Sequence, residues 1–291
     1  MRITFTLLVA LQTLGVANAP LATPPPGIRN ALVETRSAAV GLEGVFRSLL
    51  SSPPRTAWVG YAFPAANRQR PCSCGFLEGE EDGRMSCSRE GTPDASRPDG
   101  DGPASVLPEA PARRLIFFWI DGGRIRRLHM PDEDCAIDLC GQPLVWLTDV
   151  RPAESVGLLA SLAGEDAPLA GRATAAIAFH ADPQAVDVLL DLARNAPRTS
   201  VRGHALFWLA HRAGERAVAG ITRALAEDPE TEVKKKAVFA LSRLPPDRGV
   251  PLLIETARSN RNPAVRKRAM FWLGQSKDPR ALAYFEEVLK P

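Results

Sequence analysis

LAGRATAAI (Leu169–Ile177), VRGHALFWL (Val201–Leu209), VKKKAVFAL (Val233–Leu241) and VRKRAMFWL (Val265–Leu273) begin 32 residues apart. Read in columns, Leu169, Val201, Val233 and Val265 align. So do Ala173, Ala205, Ala237 and Ala269, and then Ile177, Leu209, Leu241 and Leu273. Apolar residues at i, i+4 and i+8 mark one face of a helix. The central alanine lets a neighbouring helix come close. Recurrence at a fixed period of this length is the mark of a solenoid, in which each unit buries its apolar face on the next.

A second helix recurs on the same period. Its anchors are Val186, Val218, Val250 and Leu282, followed by Leu189, Ile221, Leu253 and Phe285. Each unit is therefore a hairpin of helix A and helix B. Asp182-Pro183, Pro245-Pro246-Asp247 and Asp278-Pro279 precede the A helices, where proline and aspartate suit a helix start. A weaker first copy begins near Ser155 with Val156, Leu159 and Leu162. The expected fold class is an α+β N-terminal domain followed by an all-α solenoid of helical hairpins. The solenoid, taken as residues 151–291, is expected to fold without help from cysteines.

The Val-Arg-x-x-Ala-x-x-x-Leu pattern of the B helices, as in VRGHALFWL and VRKRAMFWL, resembles HEAT-like repeats of the phycobilisome-lyase type. The resemblance runs from about 151 to 291. It implies a fold rather than an activity, since that family includes bilin lyases, deoxyhypusine hydroxylases and many interaction scaffolds. Residues 154–280 also look like secreted bacterial HEAT-repeat proteins with no assigned activity.

Net charge is +3 over 291 residues, with 45% hydrophobic and 24% charged residues, as expected of a globular chain. The charge is uneven: the first 150 residues are net −2 and the remainder net +5. That asymmetry is too mild to imply nucleic-acid binding. Residues 1–19 read as a signal peptide: Arg2, a short apolar core, then Ala17 and Ala19. The core is shorter than the roughly 20 residues of a membrane span. Export to the periplasm or beyond is expected, with no stable span after cleavage. Residues 20–27, rich in proline, read as a tether.

Residues 28–150 read as a small α+β domain. Strands are expected at Ala31–Arg36 and Thr56–Phe63, and a helix through Leu42, Val45, Phe46, Leu49 and Leu50. Residues 88–112 have almost nothing to bury and are expected to be a disordered loop. Leu115–Ile120, Asp121-Gly122-Gly123 and Arg124–Met130 form a hairpin signal, with a bulge near Arg126. A second hairpin is expected between Asp134–Leu139 and Pro143–Leu147 across Gly141. All five cysteines, Cys72, Cys74, Cys87, Cys135 and Cys140, fall in this domain. In an exported chain they are disulfide candidates with one left over; free thiols and a metal site are the alternatives. Cys135 and Cys140 meet only if Ala136–Leu139 turns, because bridged Cα atoms lie within ~7 Å.

The hydroxylase relatives imply a di-iron site of repeated His-Glu pairs. None of His129, His180, His204 and His211 is followed by glutamate, which argues against that chemistry. No phosphate loop, serine elbow or zincin motif occurs. No catalytic residue, metal ligand or cofactor is assigned, and His204 reads as a surface histidine. Phe207, Phe239 and Phe271 align, as do Trp208 and Trp272; they read as inter-repeat packing in preference to a ligand ladder. What remains is a basic row: Arg172, His204, Lys236 and Arg268, beside Arg202, Lys234 and Arg266, with Lys235 and Lys267. Placed on the inner helices, it is a solvated face or a docking strip for a protein or acidic peptide. A non-enzymatic envelope scaffold leads; an envelope enzyme with a site at the domain junction, near Trp146 and Arg151, is the alternative.

Overall fold

In the computed structural model the described residues are 23–25, 27–51, 56–66, 85–88, 113–133, 135–165, 167–212 and 214–290. The expected leader at 1–19, loop residues 89–112, Cys72 and Cys74 lie outside them, as does much of the tether. The strands are β1 (Ile28–Arg29), β2 (Leu32–Ser37), β3 (Thr56–Pro64), β4 (Ser86–Ser88), β5 (Arg113–Asp121), β6 (Arg124–His129), β7 (Ala136–Asp138) and β8 (Pro143–Thr148), with helix α1 (Leu42–Ser51) between β2 and β3. The A helices are α2 (Pro152–Glu165), α4 (Gln184–Asn195), α6 (Glu215–Glu227), α8 (Pro246–Ser259) and α10 (Pro279–Leu289). The B helices are α3 (Ala167–Phe179), α5 (Thr199–Arg212), α7 (Thr231–Arg243) and α9 (Pro263–Gln275). A mixed-sheet region thus precedes a run of helical hairpins.

The main sheet has the order β2-β8-β3-β5-β6. β2, β8 and β3 run parallel, and β5 and β6 complete it antiparallel. The β5–β6 hairpin turns at Gly122 and Gly123, with φ of 59° and 73°, which suit glycine. Its register shifts as Trp119 faces Arg127 and Ile120 faces Ile125, leaving Arg126 as the expected bulge. The second hairpin does not form. β7 leaves the main sheet for a small one of order β1-β7-β4, while β8 runs beside β2 and β3. Cys140 (φ 51°) and Gly141 (φ 76°) make that change of sheet instead of a hairpin turn. With β7 extended, Cys135 and Cys140 are separated by several strand residues at ~3.3 Å each, beyond disulfide reach.

The central strands β3, β5 and β8 are buried on both faces and are nearly continuous apolar runs. Trp58, Leu115, Phe117, Trp119, Leu144 and Trp146 face the small sheet, packing on Met85, Cys135, Ile137 and Leu139. Gly60 makes room between them: a Cβ there would lie 2.9 Å from the Phe117 ring and 3.3 Å from Trp146. The alternate residues, Val59, Tyr61, Phe63, Ile116, Phe118, Ile120, Val145 and Leu147, share one unbroken core with α1 and the solenoid. The 32-residue columns form the interior of the helical stack, and Ala173, Ala205, Ala237 and Ala269 are fully buried. B helices contact one another more extensively than A helices do. The stack therefore curves with its B helices inside.

Candidate interaction groove

The inner face of a B helix carries residues four apart or three apart, so His204, Phe207, Trp208 and His211 share the outward side of α5. The same positions on α7 and α9 hold Lys236, Phe239 and Arg243, then Arg268, Phe271, Trp272 and Gln275. His204, Lys236 and Lys267 are exposed and Arg268 half-buried. The His204 ring lies over Gly171 of α3, and Lys236 Cγ over Gly203 of α5, so these side chains follow one another across the stack. His204 has its pKa lowered, first by partial burial and then by Lys236. Lys235 bonds Glu232 at 2.7 Å. The Glu232 carboxyl titrates lower than usual, chiefly because of that bond, with Lys235, Lys236 and Arg268 adding their charge.

The other expected column is not part of this face. Arg202 is buried, pairing bidentately with Asp228 (2.8 and 3.2 Å) and donating to the Ala196 and Pro197 carbonyls (2.9 and 3.4 Å). Lys234 donates to Ala226 O at 3.1 Å, and Arg266 to Asn260 O at 2.8 Å and Arg261 O at 3.3 Å. All three cations cap the end of the preceding A helix, where carbonyls lack helical partners and the dipole favours positive charge. Arg172 is tied elsewhere: its Nη1 donates to Leu128 O of β6 at 3.2 Å, joining α3 to the sheet. The open row is His204, Lys236 and Arg268, flanked by Lys235 and Lys267.

The aromatic residues pack between repeats, and they also remain at the surface. Phe207 stacks on Phe239 (5.8 Å, 10°), and Phe239 meets Trp272 at 5.0 Å. Phe179 meets Trp208 at 5.1 Å. Phe207, Trp208, Phe239 and Trp272 are only partly covered, and Phe271 is 49% exposed. Arg268 lies over the Phe271 and Trp272 rings at 5.3 and 5.2 Å. The inter-repeat packing expected from sequence is present, and the partly exposed rings also form an aromatic strip beside the basic row.

The junction is a packed seam. Trp146 is buried in the small-sheet core, whereas Arg151 is exposed and pairs with Glu154; the two line no common cleft. The seam holds a polar chain that the sequence did not announce. Tyr61 hydroxyl donates to Ser155 Oγ at 2.7 Å, Ser155 donates to His180 Nε2 at 2.8 Å, and His180 Nδ1–H donates to Ala176 O at 2.8 Å. That order of donors satisfies every group. All three residues are fully buried, and His180 stacks on Phe63 at 3.9 Å. Burial lowers the His180 pKa to about 4 and raises that of Tyr61. Ser155 and His180 have the spacing of a nucleophile and its base, but no substrate reaches them and a backbone carbonyl takes the orienting position.

Among the described residues no three His, Cys, Asp or Glu side chains gather as a metal site, and no helix is long and apolar enough to cross a membrane. Cys135 is buried and Cys140 exposed; Cys87 lies on β4 opposite Ile137. On the outer side, a cleft of about 770 Å³ opens between α4 and α6 above Arg202 and Asp228. The HEAT-repeat family model matches residues 155–242 and 218–291, the span built of these hairpins. That span is a HEAT-repeat region. HEAT repeats generally mediate protein–protein interaction or scaffolding. No curated protein matches the chain.

Proposed function

We propose that this protein is a non-enzymatic scaffold of the cell envelope that captures an acidic protein segment on the inner face of its solenoid. The observation that carries this reading is the open row His204, Lys236 and Arg268 beside the half-exposed Phe207, Trp208, Phe239, Phe271 and Trp272. Cations provide orientation and encounter, and aromatic rings provide apolar area at low entropic cost. Two successive cations, Lys236 and Arg268, with the His204 imidazole before them and Glu232 among them, suit a protein segment better than a nucleic-acid backbone. Export rests on the apolar leader and on the confinement of all five cysteines to the sheet region. An enzyme site at the junction is disfavoured by the complete burial of Ser155 and His180.

The test is capture from envelope extract by the full chain and by a Lys236→Glu/Arg268→Glu variant, with Arg126→Glu on the exposed bulge as control. The groove reversal is expected to abolish capture of the partner while the control retains it. Capture is also expected to weaken with salt, as the Debye length falls from ~10 Å at 0.1 M to ~3 Å at 1 M. A partner held equally by all three proteins, at low and high salt, contradicts the proposal.

A further inference from the structure

The groove carries a spacing as well as a charge. Resting on the reading above, we propose that its ligand is an acidic, proline-rich segment in the polyproline II conformation, with a carboxylate at every third residue. His204, Lys236 and Arg268 occupy the same position on successive inner helices. The packing of His204 over Gly171 and of Lys236 over Gly203 makes that row advance by one helix spacing per side chain. Packed helices lie about 8–10 Å apart. A polyproline II chain rises ~3.1 Å per residue with three residues per turn, so each of its three faces recurs every ~9 Å. The match is one ligand turn per repeat.

Other extended forms fit less well. Three residues of a β-strand cover a similar distance, but its period of two turns the third side chain to the opposite face. An α-helix brings a face back every 5.4 Å, out of step with the repeats. The second row points the same way. Phe207, Phe239 and Phe271 stand three residues beyond His204, Lys236 and Arg268, ~4.5 Å further along each helix axis. The stacked Phe207–Phe239 pair and the Phe239–Trp272 contact carry the aromatic surface across repeats without a gap. Aromatic-lined grooves take polyproline II segments because the ring faces receive proline and the preformed helix loses little entropy. In the proposed register one acid meets the His204 imidazole as a hydrogen-bond donor, the next two meet Lys236 and Arg268, and the residues between acids lie on the rings.

Two synthetic peptides of identical composition test this on the full chain by calorimetry. One consists of four Glu-Pro-Pro triplets; in its isomer the four glutamates are contiguous. The triplet peptide is expected to bind about tenfold more tightly, and Lys236→Glu/Arg268→Glu is expected to remove that preference. Equal affinity for the two peptides overturns the register and leaves the acidic-groove reading standing. Triplet binding that survives the double reversal overturns both, as does failure of both peptides to bind.

Discussion

The two ends of the helical stack are finished differently. At the first end α2 and α3 lie under the main sheet, and Val156, Leu159, Leu169 and Phe179 share a core with Tyr61, Phe63, Phe118 and Val145. Backbone bonds join the two, Ala66 N to Phe179 O and Ala181 N to Pro64 O, both at 2.9 Å. At the other end α10 buries Ala281 and Tyr284 but leaves Leu282 63% and Leu289 79% exposed. Leu282 aligns with Val250, which α9 and its neighbours cover. The same repeat position is therefore core or surface according to what packs beyond it. Solenoids need their terminal repeats finished, and here the sheet does that for the first one.

Removing the sheet breaks the comparison most severely. A fragment of residues 151–291 uncovers at least four large apolar side chains, each worth roughly 1.5–3 kcal/mol. Hydrogen exchange is expected to show α2 and α3 open while α5 to α9 stay protected, with a loss above ~5 kcal/mol for the first hairpin. Uniform protection would show that the sheet is an ornament. Away from both ends, Arg202→Ala leaves Asp228 buried and unpaired and is expected to cost about 3–5 kcal/mol in denaturant melts.

The covered end also predicts a pH dependence. His180 is held neutral with a pKa of about 4, whereas the unfolded chain takes up a proton near 6.5. Stability is therefore complete above that unfolded value and is lost as pH falls toward 4, by about 3 kcal/mol. Chemical denaturation across this range is expected to show a shallower slope for His180→Gln than for the parent. Parallel slopes would place the titration elsewhere. The smallest effect belongs to the open end: Leu282→Glu is expected to change stability by no more than ~0.5 kcal/mol, and a large loss would mean that the end is covered in solution.

The solenoid was legible because its signal is local and repeated. The 32-residue columns name the buried residues directly, down to the alanines. The basic row was only half legible. Arg202 and His204 are two residues apart, about 200° around a helix, so a cluster in sequence is divided between a buried cap and an open face. The β5–β6 hairpin could be read because Asp121-Gly122-Gly123 is a local turn. β8 was read as a strand at Pro143–Leu147, but its pairing could not be, because its parallel partners β2 and β3 are distant in sequence and Gly141 imitates a hairpin turn. His180 takes its meaning from Ser155 and Tyr61, 25 and 119 residues away, and no periodicity connects them.

The proposed function requires the two basic columns to do different work, one capping helices and the other meeting a partner. Fluorescence titration with an acidic peptide tests it directly, because Trp208 and Trp272 border the groove while Trp58, Trp119 and Trp146 are buried in the sheet region. Lys236→Gln is expected to weaken binding about fivefold, near 1 kcal/mol, and Lys234→Gln to leave it unchanged. Equal losses from the two substitutions, or an intact titration in both, would contradict the account.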